Sequence, residues 1–367
     1  MAHQPPFSHI TIIGVGLIGG SLGLAIRKQF PRITVTGVDK PAVLRQALRR
    51  RAIHAGVSSL SEAVSGADLV ILATPVGTIR TLLPRVARVI RRETLVTDVG
   101  SVKKPIVGLA KRLFPHGNFI GGHPMAGVEL SGIEAAHPLL FENAIYVLTP
   151  YAKTKRALLN KLVRLLRGIG ARLLRMDASE HDAVAAAVSH LPQLVAVAVM
   201  NLAGRGHPVA KRYLRLAAGG FRDLTRVASS SFDLWAQILP ENRGEIVRAL
   251  RLLERQLAAY RRELTRRNTK ALAREFRSSR RLRREIPKDM KGFLHRLATL
   301  EVFVPDKPGM LARLTTALAK RGINIKDLEL MKVREGTGGT FRLSFESGEE
   351  RQKARKLLSQ RGFESGR

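Results

Sequence analysis

A glycine-rich turn between an apolar β-branched run and a helix is the feature that most constrains the fold of this chain. Residues 8–14 read Ser-His-Ile-Thr-Ile-Ile-Gly, which is typical of a buried strand, and their last residue begins the motif Gly14-Val15-Gly16-Leu17-Ile18-Gly19. A helix is predicted over 21–30 and a second strand over 33–38. This order predicts the first unit of an α/β fold, a Rossmann-like, doubly wound sheet.

Each residue of the glycine motif has a predicted mechanical role. Gly14 permits the tight turn, Gly16 lets the backbone approach a pyrophosphate, and Gly19 allows close packing of helix on strand. Leu17 and Ile18 lie between these glycines, just before the predicted helix, whose free backbone amides face the phosphates. We therefore predict dinucleotide binding in preference to a purely structural glycine turn.

The ends of the next two predicted strands indicate which dinucleotide is bound. Asp39 ends the second strand, where a carboxylate accepts hydrogen bonds from both ribose hydroxyls and repels a 2′-phosphate. NAD is therefore favoured over NADP, although the adjacent Lys40 moderates the preference. Thr74 and Pro75 close a strand predicted over 67–73, and this turn either lies along the cofactor or only terminates the strand.

Three domains are predicted from the changes in periodicity. Over residues 1–176 strands alternate with helices or loops, which indicates a mostly parallel sheet. Residues 177–296 show helical periodicity and no convincing strand, so an all-helical domain is expected. Residues 297–367 follow the order β-α-β-β-α, which predicts a ferredoxin-like α+β domain whose last strand is the tail 362–364. Further strands of the first domain are expected at 95–98, 119–121, 144–148 and 172–176.

Composition excludes several classes of protein. The chain has no cysteine, which excludes disulfides, thiolate metal sites and cysteine nucleophiles, and no metal site is predicted. The N-terminus lacks the charged and apolar regions of a signal peptide. Polar residues interrupt the apolar stretch 183–202, so we expect a buried helix and no membrane span. A cytoplasmic protein is expected.

The formal net charge of +34 suggests a hypothesis from another functional class. A nucleic-acid-binding protein on a vestigial nucleotide fold would use basic clusters such as 280–284 to neutralise phosphates. Interspersed acidic residues and an aromatic content of 5% favour instead a solvated, arginine-rich surface on long helices.

A serine and two histidines that could take part in catalysis lie just after predicted strands or within an apolar helix. Ser101 lies at the carboxyl end of a strand, where it either donates to a substrate hydroxyl or caps the next helix. His123 follows another strand beside the expected cofactor crevice. His190 is either a core histidine or a functional group, because the nearby Pro192 removes a backbone donor and perturbs the helix.

Two arginines are candidates for binding a carboxylate. Arg222 and Arg226 follow the flexible pair Gly219-Gly220, and guanidinium groups suit bidentate carboxylate recognition. In so arginine-rich a chain, the alternative for each is an ordinary surface residue.

Taken together, these motifs resemble those of prephenate dehydrogenases, in the family's order from residue 8 to about 240. One departure is Gln193, which stands where a second histidine is expected. Residues 298–367 resemble an ACT domain, a small amino-acid-binding regulatory module, with Asp306, Pro308-Gly309 and Gly322-Ile323-Asn324 as its marks. The matching segments of the dehydrogenase are 14–21, 98–103, 121–129, 180–182, 189–192 and 220–226.

The resemblance implies an NAD-dependent oxidative decarboxylation of prephenate to 4-hydroxyphenylpyruvate in tyrosine biosynthesis. It implies that His190 polarises the 4-hydroxyl as a base and that Ser101 orients His190. It also implies that Arg226 holds a substrate carboxylate, that His123 lies near the nicotinamide, and that Glu129 gates the pocket. Arogenate dehydrogenase or a dual-specificity cyclohexadienyl dehydrogenase is the close alternative, because the two substrates differ only in a keto or an amino group.

A homodimer and a regulatory ligand are also expected. Long helices with apolar faces commonly bury those faces against a second subunit, which assigns dimerisation to the helical domain. L-Tyrosine is the expected ligand of the ACT-like domain, where free amides after the loop 305–309 suit a carboxylate. The candidate regulatory residues are Asp306, Gly309 and Asn324.

Overall fold

The computed structural model describes residues 5–126, 131–205, 215–285, 297–334 and 337–364. The chain divides into two compact units, Met1–Leu272 and Ala273–Arg367. The predicted boundary between residues 176 and 177 lies inside the first unit, so the sheet and the helices that follow it belong to one body.

The first unit is built on an eight-stranded sheet with the order β3-β2-β1-β4-β5-β6-β7-β8. Neighbouring strands are parallel except β6 and β7, which confirms the mostly parallel sheet that the sequence predicts. The strands are β1 (His9–Ile13), β2 (Thr34–Val38), β3 (Ala55–Gly56), β4 (Leu69–Leu72), β5 (Leu95–Asp98), β6 (Phe119–Pro124), β7 (Ile145–Thr149) and β8 (Arg172–Arg175).

Helices cover both faces of this sheet, because successive residues of its buried strands point to opposite sides. In β4, Leu69 and Ile71 join one apolar core, whereas Val70 and Leu72 join the other. Burial of each such side chain contributes roughly 1.5–3 kcal/mol. The helices are α1 (Leu17–Gln29), α2 (Pro41–Arg49), α3 (Leu60–Ser65), α4 (Val76–Val89), α5 (Lys104–Leu113) and α6 (Arg156–Gly168).

Between β8 and residue 285, the described residues form helices and turns and no strand, as predicted. The helical periodicity expected over this part of the chain is interrupted at Asn242, whose φ of −112° and ψ of 20° lie outside the α-helical range. A five-residue π-helical turn, Ala186–His190, joins the first two helices. The helices are α7 (Ala178–Ala185), α8 (Leu191–Arg205), α9 (Gly219–Thr225), α10 (Phe232–Glu241), α11 (Arg243–Thr265) and α12 (Thr269–Glu285).

The expectation of a buried helix over 183–202 is wrong for the single chain. Residues Ala178–Arg205 form a 28-residue helical stretch that is long and apolar enough to cross a membrane, but only 28% of its most apolar window is buried. Val188 and Leu202 are 61% and 72% exposed, while Gln193 and Ala196 face the protein core. One face of the stretch therefore packs against the rest of the first unit, and the other is exposed in the single chain.

The second unit contains a three-stranded antiparallel sheet with the order β10-β11-β9. Its elements are β9 (Ala298–Pro305), α13 (Met310–Ala319), β10 (Asp327–Arg334), β11 (Gly338–Phe345) and α14 (Gly348–Gln360).

The strand predicted over 362–364 does not form. Gly362 has a φ of +81°, which turns the chain, and Phe363 inserts its side chain into the apolar core of this unit. A hydrogen bond from Phe303 N to Glu364 O, 2.8 Å long, joins the tail to β9. The tail is therefore held by the buried Phe363 ring and this hydrogen bond, and not by a fourth strand.

Candidate active site

A cleft of about 450 Å³ opens at the carboxyl ends of β4, β5 and β6. Strand β1 lies between β2 and β4, so the strand order reverses beside the cleft. Open α/β sheets bind their ligands in such a crevice. The wall includes Leu17, Ile18, Thr74, Pro75, Val99, Gly100, Ser101, His123, Asp233, Gln237 and Ile238.

The glycine motif has the local geometry that a dinucleotide requires. Gly14 has a φ of +93°, and a Cβ there would lie 2.6 Å from the carbonyl oxygen of Ala73. A Cβ on Gly19 would come within 1.9 Å of the Gly14 carbonyl oxygen, so only glycine lets α1 pack on this turn. A Cβ on Gly16 would meet nothing within 4 Å, which leaves room for a pyrophosphate at the start of α1.

Two further side chains beside this turn suit the same ligand. Asp39 directly follows β2 and accepts a hydrogen bond from Val15 N at 2.7 Å, which places its carboxylate against the glycine turn. Thr74 lies on the cleft wall, and its buried Oγ1 has no hydrogen-bond partner in the described part of the chain. A buried hydroxyl without a partner is costly unless a ligand or water satisfies it. Residues that could hold a dinucleotide are therefore present in a consistent arrangement.

A buried ion pair lies at the end of β5, next to the cleft-wall residue Gly100. Lys103 Nζ donates to Asp98, and both side chains are fully buried. Asp98 also accepts from the backbone amides of Gly100 at 2.9 Å and Gly122 at 3.2 Å. Burial lowers the pKa of Lys103, and the charge of Asp98 opposes that shift. The pair joins β5, β6 and the start of α5. Ser101 lies on the cleft wall and does not cap α5, because Lys103 is the residue that directly precedes this helix.

His123 lies inside β6, not after it, because β6 extends to Pro124 by pairing with β7. A Cβ on Gly122 would lie 2.6 Å from the carbonyl oxygen of Asp98, so glycine is required just before the histidine. The half-buried ring faces the cleft, and its Nδ1 lies 2.8 Å from His181 Nε2. Burial, together with His181, Lys103 and His190, holds the pKa of His123 well below its usual value, so the ring is neutral at pH 7.

Behind His123, the first turns of α7 present a histidine and a carboxylate. His181 Nδ1 lies 2.7 Å from Asp182 Oδ1. Asp182 in turn accepts from the backbone amides of Lys103 at 2.7 Å and Lys104 at 2.9 Å. Both side chains are about 2% exposed. This network ties α7 to the start of α5 and to β6.

His190 occupies a different position from His123. It ends the π-helical turn, is 2% exposed, and is not among the described residues on the cleft wall. Asn242 Nδ2 lies 3.2 Å from its Nδ1 and also donates to the Asp182 carbonyl oxygen at 2.8 Å. The ring packs edge-on against Trp235, with centroids 5.9 Å apart. Burial lowers the pKa of His190 to about 4.

The remaining candidates are not brought together with the cleft. Arg222 lies in α9 and Arg226 begins a 3₁₀ turn, and neither is on the described cleft wall. Glu129 lies outside the described residues. Gln193, at the departure from the family pattern, is buried, and its Nε2 donates to the Val227 carbonyl oxygen at 2.9 Å.

The predicted regulatory residues belong to the second unit. Gly309 adopts a φ of +82° directly before α13, and the loop that carries Asp306 precedes it. Asn324 follows a second left-handed glycine, Gly322, with a φ of +68°. Both Asp306 and Asn324 are exposed.

Sequence reasoning missed Asp98, Lys103 and Asn242 as members of the site. A carboxylate at a strand end is a usable signal for Asp98. No sequence pattern indicates that the Lys103 side chain is buried, or that Asn242 forms a hydrogen bond with Asp182 of α7.

Comparison with known proteins gives matches over nearly the whole chain. Three family models match: the prephenate dehydrogenase nucleotide-binding domain over residues 22–175, the prephenate dehydrogenase dimerization domain over 177–278, and the ACT domain over 298–361. A prephenate dehydrogenase of Bacillus subtilis is 37% identical over 96% of this chain and 96% of its own length. A cyclohexadienyl dehydrogenase of Zymomonas mobilis is 35% identical over 64% of this chain and 81% of its own.

A solved structure is also similar. The prephenate dehydrogenase of A. aeolicus, crystallised in complex with hydroxyphenyl propionate and NAD+, superposes with a TM-score of 0.71 at 30% identity. The match covers 76% of this chain and 98% of that one.

Proposed function

The chain belongs to the prephenate dehydrogenase family, and we propose that it oxidatively decarboxylates prephenate to 4-hydroxyphenylpyruvate with NAD as the cofactor. One observation carries the assignment beyond the family: Ser101 and His123 share a wall of the cleft that the glycine motif opens onto. A hydroxyl and a neutral imidazole are the groups needed to bind an alcohol and to take its proton.

We propose that the described turn after β1 holds NAD. The amides at the start of α1, beside Gly14 and Gly16, would receive the pyrophosphate, and Asp39 would accept from the ribose hydroxyls. Thr74 would gain the partner that its hydroxyl lacks. When bound, NAD supplies the acceptor for the hydride that leaves the alcohol carbon. The Asp39 carboxylate supports the preference for NAD over NADP, because it repels a 2′-phosphate.

We assign the base to His123 in place of His190, which the family resemblance had implied. His123 is on the cleft wall and is bonded through Nδ1, which leaves Nε2 for a substrate hydroxyl. His190 is buried behind the wall, and its Nδ1 faces Asn242. Ser101 would donate to or accept from the same hydroxyl. Loss of the ring carboxylate as CO₂ then restores aromaticity and makes the reaction effectively irreversible.

The proposed ligands of the substrate carboxylates are Arg226 and Arg222, because guanidinium groups match carboxylates in geometry and charge. Neither lies on the described cleft wall of the single chain, so this assignment stays a prediction. Gating by Glu129 remains a prediction.

The purified chain should form NADH from prephenate, followed by absorbance. His123→Asn should lower kcat by roughly 10²–10⁴-fold with little change in KM, because a base acts in the transition state. His190→Asn serves as the matched comparison, and a larger loss of kcat there would return the base to His190. If neither prephenate nor arogenate reduces NAD or NADP, the proposed function fails.

Arogenate oxidation, or dual specificity, is the second candidate function. It is supported by the similarity to a protein named cyclohexadienyl dehydrogenase. The ratio of kcat/KM for prephenate and arogenate decides between the two, because the substrates share the reacting ring and differ only in the side chain.

We propose that the chain is a homodimer through its helical part. The family model for residues 177–278 is named a dimerization domain, and large apolar side chains there are exposed in the single chain. Examples are Val188, Leu202 and Phe232, which are 61%, 72% and 70% exposed. A second copy of the chain would cover this surface. The proposed location of the dimer is the cytoplasm. Sedimentation equilibrium should give twice the chain mass, and a monomer at micromolar concentration would contradict the proposal.

We propose that the second unit binds L-tyrosine and inhibits the dehydrogenase. Support comes from the ACT-domain match and from free amides at the start of α13, which follow the left-handed Gly309. Coupling of about 1–3 kcal/mol would weaken substrate binding roughly 5–150-fold. Asp306→Ala and Asn324→Ala should reduce tyrosine sensitivity without lowering uninhibited activity. A full-length enzyme that is indifferent to millimolar tyrosine would refute the regulatory proposal.

A further inference from the structure

Behind the proposed base lie two side chains that the reaction does not yet explain. We propose that His181 and Asp182 form a positioning relay, which keeps His123 in the tautomer with Nδ1 protonated and Nε2 free to accept a proton. The role given to Nε2 rests on the proposed function, whereas the order of hydrogen bonds is a property of the protein without substrate.

The relay begins at Asp182, whose carboxylate is fixed as an acceptor. Its Oδ1 receives Lys103 N at 2.7 Å, and its Oδ2 receives Lys104 N at 2.9 Å. Backbone amides can only donate, so both oxygens of Asp182 act as acceptors. His181 Nδ1 lies 2.7 Å from Oδ1, and an ionised carboxylate can only accept, so Nδ1 of His181 must carry a proton.

The direction of the next hydrogen bond follows from the first. A neutral His181 that is protonated on Nδ1 presents a lone pair on Nε2. His123 Nδ1 lies 2.8 Å away, so it must be the donor. The two rings meet edge to face at 69°, with centroids 5.0 Å apart, which suits an N–H directed at a ring nitrogen. Nε2 of His123 is then unprotonated.

The alternative is a doubly protonated His181, which would donate to His123 and leave Nε2 of His123 protonated. The charges around the pair disfavour it. Lys103 brings a cation from the start of α5, and His190 faces the pair from the π-helical turn. Of the nearby carboxylates, Asp98 is already paired with Lys103. A charged His181 would be paired with Asp182, at 2.7 Å, but it would add a second cation close to Lys103.

In the reaction, one proton moves. The O–H bond of the substrate alcohol breaks, and an N–H bond forms at His123 Nε2, which makes that ring an imidazolium. Its Nδ1–H remains bonded to His181, and Asp182 keeps that acceptor oriented. His181 and Asp182 therefore act through His123 and touch no reacting atom.

The first test reads the tautomer directly and needs no turnover. ¹⁵N NMR of the full-length chain with labelled histidines, assigned with His123→Asn and His181→Gln, should show His123 protonated on Nδ1 and bare on Nε2. His181 should show the same tautomer. A His123 protonated on Nε2 would overturn the relay, whatever the enzyme's substrate.

The second test separates an acceptor from mere packing. His181→Gln keeps an oxygen that can accept from His123 Nδ1, whereas His181→Phe fills the space without an acceptor. We expect His181→Phe to lower kcat by about 10²-fold or more and leave KM unchanged, with His181→Gln recovering much of the loss. Equal losses in the two variants, or losses seen only in KM, would overturn the relay.

The control is His54→Gln, because His54 Nδ1 also accepts a single hydrogen bond, from Val35 N at 3.0 Å, but has no link to His123. It should leave kcat unchanged. Unfolding curves followed by Trp235 fluorescence show whether each variant is folded. A wild-type chain that is inactive on both substrates refutes the proposed function, and the NMR result then still decides the relay.

Discussion

Removal of the buried cation that pairs with Asp98 should destabilise the first unit strongly. Lys103→Met leaves Asp98 fully buried without its ion-pair partner. Loss of one member of a buried pair costs about 3–5 kcal/mol. Asp98 keeps its hydrogen bonds from Gly100 and Gly122, so we expect the lower end of that range, about 3 kcal/mol. Such a loss is a large part of the roughly 5–15 kcal/mol that stabilises a typical domain.

Urea unfolding followed by tryptophan fluorescence measures this change in the correct unit. Trp235 is the one tryptophan in the sequence, and it packs against a core of the first unit. The matched control is Lys104→Met, because this neighbouring lysine is exposed and its backbone amide still donates to Asp182. The control should change the free energy of unfolding by less than about 0.5 kcal/mol.

A double variant tests the reason for the loss. Asp98→Asn combined with Lys103→Met removes both charges, so it should recover much of the stability that the single variant loses. If Lys103→Met is as mild as Lys104→Met, the argument from an uncompensated buried carboxylate is refuted.

Three further predictions concern neighbouring features of the site. Gly122→Ala should cost about 1–3 kcal/mol in the same unfolding assay, because its Cβ would lie 2.6 Å from the Asp98 carbonyl oxygen, and an unchanged midpoint would contradict that contact. Burial lowers the pKa of His190 from 6.5 to about 4, so between these pH values His190 is protonated in the unfolded chain but not in the folded one. The free energy of unfolding should therefore fall as the pH drops from 6.5 to 4, and less steeply in His190→Asn. Asp39→Ser should raise kcat/KM for NADP relative to NAD, and an unchanged ratio would show that Asp39 does not exclude the 2′-phosphate.

Local sequence patterns were sufficient to predict most of the strands and the cofactor turn. Strand β5 was predicted with both of its ends, because an apolar run there stops at a charged residue, Asp98. The glycine motif was informative because each glycine meets a constraint within its own βαβ unit. Gly19, for example, packs against the turn at Gly14, five positions earlier in the chain.

Long-range pairing decided the elements that sequence reasoning placed wrongly. Strand β6 was predicted to span residues 119–121. Antiparallel pairing with β7 instead carries the strand through His123, which lies opposite Val147. In the tail, Phe363 was expected to belong to a strand but buries its ring in the core of the second unit.

The sequence by itself determined the family, the order of the elements and the residues available for chemistry: one serine and two histidines after a dinucleotide motif. Only the tertiary structure decided which histidine faces the cleft. His123 and His181 are 58 positions apart in the chain, and they meet because α7 packs against the start of α5. Burial and hydrogen-bond direction depend on such contacts between distant elements, and no local pattern records them.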